Sequence, residues 1–160
     1  MPAKPHPATP AGRAAPRGDG IDMGMLPGLV GFNLRCAQLA VFQHFGATVG
    51  AENVSPPQFG TLLLIEANPG ISQSAVAEAL RFDRSTLVQI IDRLEGRDFV
   101  ARRASPQDRR SHALELTETG AEFLAKLKVL ALDHENDAAA ALTDAERAQL
   151  IALLQKISGA

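Results

Sequence analysis

The chain has 160 residues, of which 46% are hydrophobic, and its 16 basic and 18 acidic side chains leave a net charge of −2. This length and apolar content suffice for one domain with a buried core. No stretch is apolar enough over sufficient length to span a membrane or act as a signal peptide, and a single cysteine excludes an intramolecular disulfide. We therefore expect a cytoplasmic protein that makes no use of a membrane.

Residues 1–22 are predicted to form a disordered N-terminal tail. The segment holds half of the ten prolines of the chain and few large apolar side chains. Burial in such a segment cannot repay the conformational entropy that is lost on ordering.

Helices are predicted at both ends of the remaining chain. Residues 29–49 carry apolar side chains on more than one face, so this helix needs neighbours on several sides. Two further helices follow the N-cap residues Thr117 and Thr143. We assign 26–50 and 118–158 to a helical dimerisation region on this basis.

The segment 55–117 between them is predicted to form a DNA-binding domain, a winged helix-turn-helix, that begins with a series of short helices. Ser55 and Gln58 form a capping box around Pro56, and Ser72 caps the next helix. Asp83 then caps a helix that ends near Glu95 before Gly96, a glycine in the position that follows a helix C-terminus.

The helix after Asp83 has a clear division of faces. Its apolar residues recur at helical spacing and should face inward: Leu87, Ile90, Ile91 and Leu94. Its outward face carries Arg84, Ser85, Thr86, Gln89 and Arg93. Hydroxyls and an amide near a helix start suit base reading in the major groove, and the flanking arginines suit phosphates. A helix face exposed only to solvent would carry similar residues.

A β-hairpin is predicted directly after this helix. Residues 99–103 and 111–116 alternate partly in polarity, and Ser105–Asp108 has the composition of a turn. Arg109 and Arg110 follow at the tip. A helix–turn–helix followed by such a hairpin is a winged helix-turn-helix.

Positive charge is concentrated around this unit. Between Arg81 and His112, eight arginines outnumber the acidic residues by three, although the chain as a whole is slightly acidic. A basic patch with a helix end and an arginine-tipped hairpin suits the two grooves of a DNA duplex. The alternative interpretation is a winged helix that docks another protein and does not bind DNA.

At this point the sequence resembles the MarR family of bacterial transcription regulators. The matching segments are DRSTLVQIIDRLEGRDFV and SPQDRRSHALELTETG, with the D-x-R signature of the family at Asp108 and Arg110. The resemblance extends from about Leu26 to the end of the chain. It implies a mainly α-helical fold with a small β-hairpin wing, combining a winged helix-turn-helix with a helical dimerisation domain. It also implies a homodimer that binds a palindromic operator and acts as a repressor.

The resemblance further implies roles for individual residues. The arginine at position 110 enters the minor groove, and Asp108 orients it. The complete set of DNA-binding residues expected on these grounds is Arg84, Ser85, Thr86, Gln89, Arg93, Asp108, Arg109 and Arg110.

The family also has small-molecule effectors, commonly aromatic acids, bound between the dimer helices and the reading domain. The segments GFNLRCAQLAVFQHF, SPPQF and EANPG are most similar to a branch tied to hydroxycinnamate breakdown, where the effector is a free acid or its coenzyme A thioester. Arg35 either pairs with the effector anion or forms an intersubunit salt bridge. The expected effector-binding residues are Phe32, Arg35, Leu39, Phe59 and Leu63.

The sequence gives little support for redox sensing, metal binding or catalysis. Cys36 is expected to be a buried or interfacial thiol; a redox-sensing role is the alternative, but the chain has no tyrosine of the kind that the hydroperoxide-sensing branch uses. His44 and His134 lack metal-ligand spacing, and we expect His134 on a solvated face. We predict no metal, no cofactor and no enzymatic activity.

Overall fold

A computed structural model describes residues 20–104 and 112–159. Contacts divide the chain into two compact units, Met1–Leu39 and Ala40–Ala160. The helices are α1 Val30–Ala47, α2 Pro56–Ala67, α3 Gln73–Ala79, α4 Arg84–Glu95, α5 Glu118–Ala138 and α6 Asp144–Ser158. The strands are β1 Ile71–Ser72, β2 Val100–Ala104 and β3 His112–Leu116, and short 3-10 turns occupy Leu26–Gly28 and Val49–Glu52. The predicted class, mainly helical with a small β wing, is confirmed.

The helix starts lie where the capping residues predict them. Ser55 and Gln58 form the reciprocal capping box at α2, with Gln58 Oε1 accepting from the Ser55 backbone N–H at 2.9 Å. Thr143 opens α6 in the same way, and Thr117 caps α5 through the backbone N–H of Gly120 at 2.9 Å. Each bond satisfies a backbone donor that the first helical turn leaves unpaired.

The helix ends are less well predicted. The first helix ends at Ala47, and the residues up to Glu52 form a separate 3-10 turn. Gly96 keeps a right-handed conformation at φ −62°, and the left-handed residue after α4 is Asp98 at φ +58°. The predicted end of α4 near Glu95, followed by Gly96, is confirmed, and the left-handed residue lies two positions further on.

The wing is part of a three-stranded antiparallel sheet in the order β1-β3-β2. Strand β2 pairs with β3 in a register that places Val100 opposite Leu116 and Ala104 opposite His112. Ile71 in β1 pairs with Leu114 in β3. A strand of two residues is too short to show a period in the sequence, so β1 was not predicted.

The core of the second unit lies between the helices and the sheet. The predicted inward face of α4 is confirmed, because the four apolar residues assigned to it are all buried, while the fifth apolar residue of the helix, Val88, is exposed. Apolar side chains with 0 or 1% exposure come from six helices and strands and from the 3-10 turn after α1: Val49, Leu62, Ile65, Val76, Leu87, Ile91, Leu94, Val100, Leu114, Leu124 and Leu127. This packing fixes the orientation of α4 relative to the wing.

In the first unit, residues 20–39 contain the turn Leu26–Gly28 and the first part of α1. Asn33 ties the two together, since its Nδ2 donates to the Pro27 and Leu29 carbonyl oxygens at 3.0 and 2.8 Å. None of residues 20–39 is buried. Across the ranges 20–104 and 112–159, no helix has both the length and the apolar character that crossing a bilayer requires.

Candidate nucleic-acid interface

The N-terminus of α4 is organised by one carboxylate. Asp83 Oδ1 accepts from the Ser85 hydroxyl at 2.5 Å and from the Thr86 backbone N–H at 2.8 Å. Its Oδ2 accepts from the Thr86 hydroxyl at 2.6 Å. Bonds from the hydroxyls of Ser85 and Thr86, followed by the Thr86 N–H, hold the pKa of the Asp83 carboxyl well below its usual range. Stability from these bonds is therefore fully present above the ordinary carboxyl pKa, declines as pH falls below that value, and is lost once pH passes the lowered pKa.

The outward face of α4 carries all five residues predicted to contact DNA from this helix. Each of them is exposed, while the opposite face of the helix packs into the core. The five residues are spread over about three turns, and at 3.6 residues per turn Arg84 lies at the edge of this exposed face. They are Arg84, Ser85, Thr86, Gln89 and Arg93.

One arginine of the wing is held by the reading helix and is not available to a partner. Arg102 in β2 donates to Asp92 at 2.6 Å and also pairs with Glu95. Gln73 in α3, with its amide oxygen toward the guanidinium, accepts from Nη2 and Nε at 3.2 and 3.1 Å. The Arg102 side chain is only 19% exposed. Arg102 thus joins the wing to α4 and to α3. This role was not predicted from the sequence.

Arg97 is also committed within the protein. Its guanidinium donates to the Asn53 carbonyl oxygen at 2.5 Å and lies over the Phe99 ring, 4.5 Å from its centroid. The Phe99 ring stacks in turn on Phe123 at 4.2 Å. Such a cation–π contact adds to the anchoring of the loop after α4.

The remaining arginines fall into two groups. Arg81 donates to the Ser158 carbonyl oxygen at 2.9 Å, and Arg103 lies 3.8 Å from Glu115 across the wing. Arg84 and Arg93, by contrast, have no ion-pair partner within the described residues. The two arginines predicted to hold phosphates thus make neither an ion pair nor a side-chain hydrogen bond within the described residues, whereas Arg81 and Arg97 are held by backbone carbonyl oxygens.

A cleft of about 570 Å³ opens beside the C-terminal end of α4. Its lining residues are Asn53, Gln58, Arg93, Gly96 and Arg97. Two of these five residues are arginines, so the cleft carries positive charge, which fits a phosphate group.

The predicted wing-tip residues Asp108, Arg109 and Arg110 lie outside the described residues. The strands that lead to them are described, and the last pair of the register joins Ala104 to His112. The geometry of the D-x-R signature therefore stays a prediction.

The predicted effector residues belong to both units. In the first unit, Phe32 is half-buried, whereas Arg35 and Leu39 are exposed along α1. In the second unit, Phe59 and Leu63 lie on α2, partly buried against the hydrophobic core. The assignment of these five residues to one pocket stays a prediction.

Two further expectations concern α1 and α5. The prediction of a solvated His134 is wrong, since the side chain is 2% exposed and its Nδ1 lies 2.7 Å from the Nδ1 of His44. The ring also packs edge-on against Phe45, 5.4 Å between centroids. Cys36 is exposed on α1 in the single chain, so it is not buried within its own subunit.

Comparison with known proteins agrees with this geometry. The MarR family model matches residues 54–112. A protein of Thauera aromatica, described as a transcriptional regulator of the hcr operon, is 40% identical over 135 residues, which cover 84% of this chain and 81% of the relative.

Two solved structures extend the likeness to three dimensions. The transcriptional repressor CouR bound to a 23-mer DNA duplex superposes with a TM-score of 0.82 at 40% identity, covering 88% of this chain and 99% of that one. CouR bound to p-coumaroyl-CoA gives a TM-score of 0.80 at 38% identity, covering 86% and 97%. The chain therefore belongs to the MarR family of DNA-binding transcription regulators.

Proposed function

We propose that this chain is a homodimeric repressor that reads a palindromic operator and is released by a small aromatic acid or its coenzyme A thioester. The observation that carries the proposal is the outward face of α4. It presents hydroxyls and an amide between Arg84 and Arg93, while the acidic Asp92 on the same helix is neutralised by Arg102. Pairing with Arg102 lowers the repulsion that Asp92 would exert on DNA phosphates.

The homodimer is supported by an apolar helix face. Helix α6 has no buried residue in the single chain. Its large apolar side chains are 37–61% exposed, namely Leu150, Ile151, Leu153, Leu154 and Ile157. An apolar face of this extent indicates a protein–protein contact. A dimer would also place two α4 helices about 34–36 Å apart, one turn of the duplex.

Within this proposal, each subunit uses two elements on DNA. Ser85, Thr86 and Gln89 read base edges in the major groove, and Arg84 and Arg93 hold phosphates. At the wing tip, Arg109 and Arg110 reach the minor groove, with Asp108 orienting Arg110.

Substituting Arg110→Ala should weaken operator binding and lower its salt dependence, by about one released counterion per subunit. The probe is a duplex selected from a randomised library by the wild-type protein, titrated by fluorescence anisotropy at several salt concentrations. Arg147→Ala serves as the control, because that guanidinium is held by Glu135 at 3.2 Å. Equal affinity and equal salt slope for Arg110→Ala would show that the wing assignment is wrong, and a protein that sediments as a monomer would overturn the dimer.

The effector class is proposed from the CouR complex with p-coumaroyl-CoA, together with the apolar side chains on α1 and α2. Phe32, Leu39, Phe59 and Leu63 suit an aromatic ring, and Arg35 suits a carboxylate or phosphate. Release of DNA would follow if the ligand favours a dimer in which the two α4 helices are wrongly spaced.

Titration calorimetry with p-coumarate and p-coumaroyl-CoA should give binding heat for at least one of them, and that ligand should release the selected duplex. Arg35→Ala should weaken binding about tenfold if the guanidinium pairs with the anion. Unchanged affinity in Arg35→Ala would favour the intersubunit salt bridge. Absence of heat and of DNA release with both ligands would contradict the proposed effector class.

A further inference from the structure

The two hydroxyl groups at the start of α4 have a fixed hydrogen-bond direction. Ser85 Oγ and Thr86 Oγ1 lie 2.5 and 2.6 Å from the two carboxylate oxygens of Asp83. A carboxylate can only accept, so both hydroxyls must donate their single proton to it. These short bonds are of the charge-assisted type, which is roughly twice as strong as a bond between neutral groups.

This arrangement decides what the two side chains can offer to DNA. A hydroxyl has one donor and two acceptor lone pairs, so Ser85 and Thr86 present only acceptors once the proton is used. Phosphate oxygens, guanine O6 and N7, and thymine O4 are acceptors as well and cannot pair with them. The donors in the major groove are the amino groups of adenine at N6 and of cytosine at N4.

We propose that Asp83 is a positioning residue that holds Ser85 and Thr86 as hydrogen-bond acceptors, so that the start of α4 selects an adenine or cytosine amino group in the operator. The inference rests on the proposed function of α4 as the reading helix and adds the class of base that it recognises. It also assigns these hydroxyls to base edges and not to phosphates. Asp83 remains ionised at any pH at which the protein binds DNA, because its pKa is well below the usual range.

The test uses the full-length protein and the duplex selected from a randomised library by the wild type. Single adenines are replaced by purine, which lacks the N6 amino group, and single cytosines by 2-pyrimidinone, which lacks the N4 amino group. Fluorescence anisotropy should reveal at least one position per half-site where this loss weakens wild-type binding about tenfold. In Ser85→Ala combined with Thr86→Val, the same replacement should cost less than about twofold, since the acceptors are gone.

Asp83→Asn separates the positioning role from a structural one. Asparagine caps helices as well as aspartate, so α4 should be retained and the melting temperature should change little. Its amide offers one acceptor and two donors, and one hydroxyl must therefore turn its proton outward. Repeating the library selection with Asp83→Asn should shift the preferred base at the sensitive position toward thymine or guanine.

The outcomes are distinguishable. A protein that prefers no duplex sequence would overturn the proposed function and this inference together. A protein that selects a duplex but tolerates every amino-group removal, or whose Asp83→Asn variant selects the same bases as the wild type, would overturn the inference alone.

Discussion

Replacing Gly120 by alanine is expected to lower the free energy of unfolding by about 3 kcal/mol or more. Gly120 is buried in the first turn of α5, and a Cβ added there would lie 1.9 Å from the carbonyl oxygen of Phe99. This oxygen belongs to the backbone and accepts the Thr117 N–H at 3.2 Å, so it cannot move without breaking that bond. The stacked rings of Phe99 and Phe123 would be displaced as well.

Thermal unfolding followed by circular dichroism would measure this effect. For a chain of this size, about 3 kcal/mol corresponds to a fall of roughly 6–12 °C in Tm. Gly46→Ala is the matched control, because this glycine lies in α1, is exposed and has no atom within 4 Å of an added Cβ. Alanine there should leave the protein as stable or stabilise it by about 0.5–1 kcal/mol. Equal melting temperatures for the two variants would contradict the steric clash expected between a Cβ at position 120 and the Phe99 backbone.

Replacing Arg102 by alanine is expected to weaken operator binding about tenfold, although the residue does not itself face DNA. Its removal leaves Asp92 and Glu95 unpaired on α4, the helix that we propose approaches the DNA phosphates. It also removes the tie from β2 to α4 and to Gln73 in α3. The direct loss of stability should be only about 1–2 kcal/mol, because both carboxylates are more than one-third exposed and solvent screens them.

Anisotropy titration of the selected duplex would compare Arg102→Ala with Arg103→Ala. Arg103 is the neighbouring residue of β2, is 68% exposed and has only a long pair to Glu115, so its loss should change the fold very little. If the unpaired charge of Asp92 causes the loss of affinity, adding Asp92→Asn to Arg102→Ala should restore part of that affinity. If a changed orientation of the wing causes the loss, the added substitution should restore none of it. Wild-type affinity in Arg102→Ala would contradict the role assigned to this network.

Local signals in the sequence predict the fold well where each element carries its own start. The N-cap residues Ser55, Thr117 and Thr143 predict where α2, α5 and α6 begin. Each cap accepts a hydrogen bond from a backbone N–H only three residues later, so the signal is local in the sequence. The helix ends and β1 were less predictable. Ile71 and Ser72 become a strand only because β3, some 40 residues later, offers its free edge.

The candidate site divides in the same way. The outward face of α4 follows from its period, since Leu87, Ile90 and Leu94 must face inward and leave the polar residues outside. The sequence could not show which arginine side chains remain available to bind phosphate groups. Arg97 and Arg102 look equivalent to Arg84 and Arg93 in the printed chain, yet long-range contacts occupy the first two.

The sequence by itself determined the family, the winged helix-turn-helix and the exposed face of α4, because caps, periods and turns act over a few residues. Only the tertiary structure decided which partners individual charged and polar side chains have. It pairs Arg102 with Asp92 and buries His134 against His44, and it brings the Phe99 backbone so close to α5 that only glycine fits at position 120. These outcomes depend on distances between segments far apart in the chain, which no local pattern encodes.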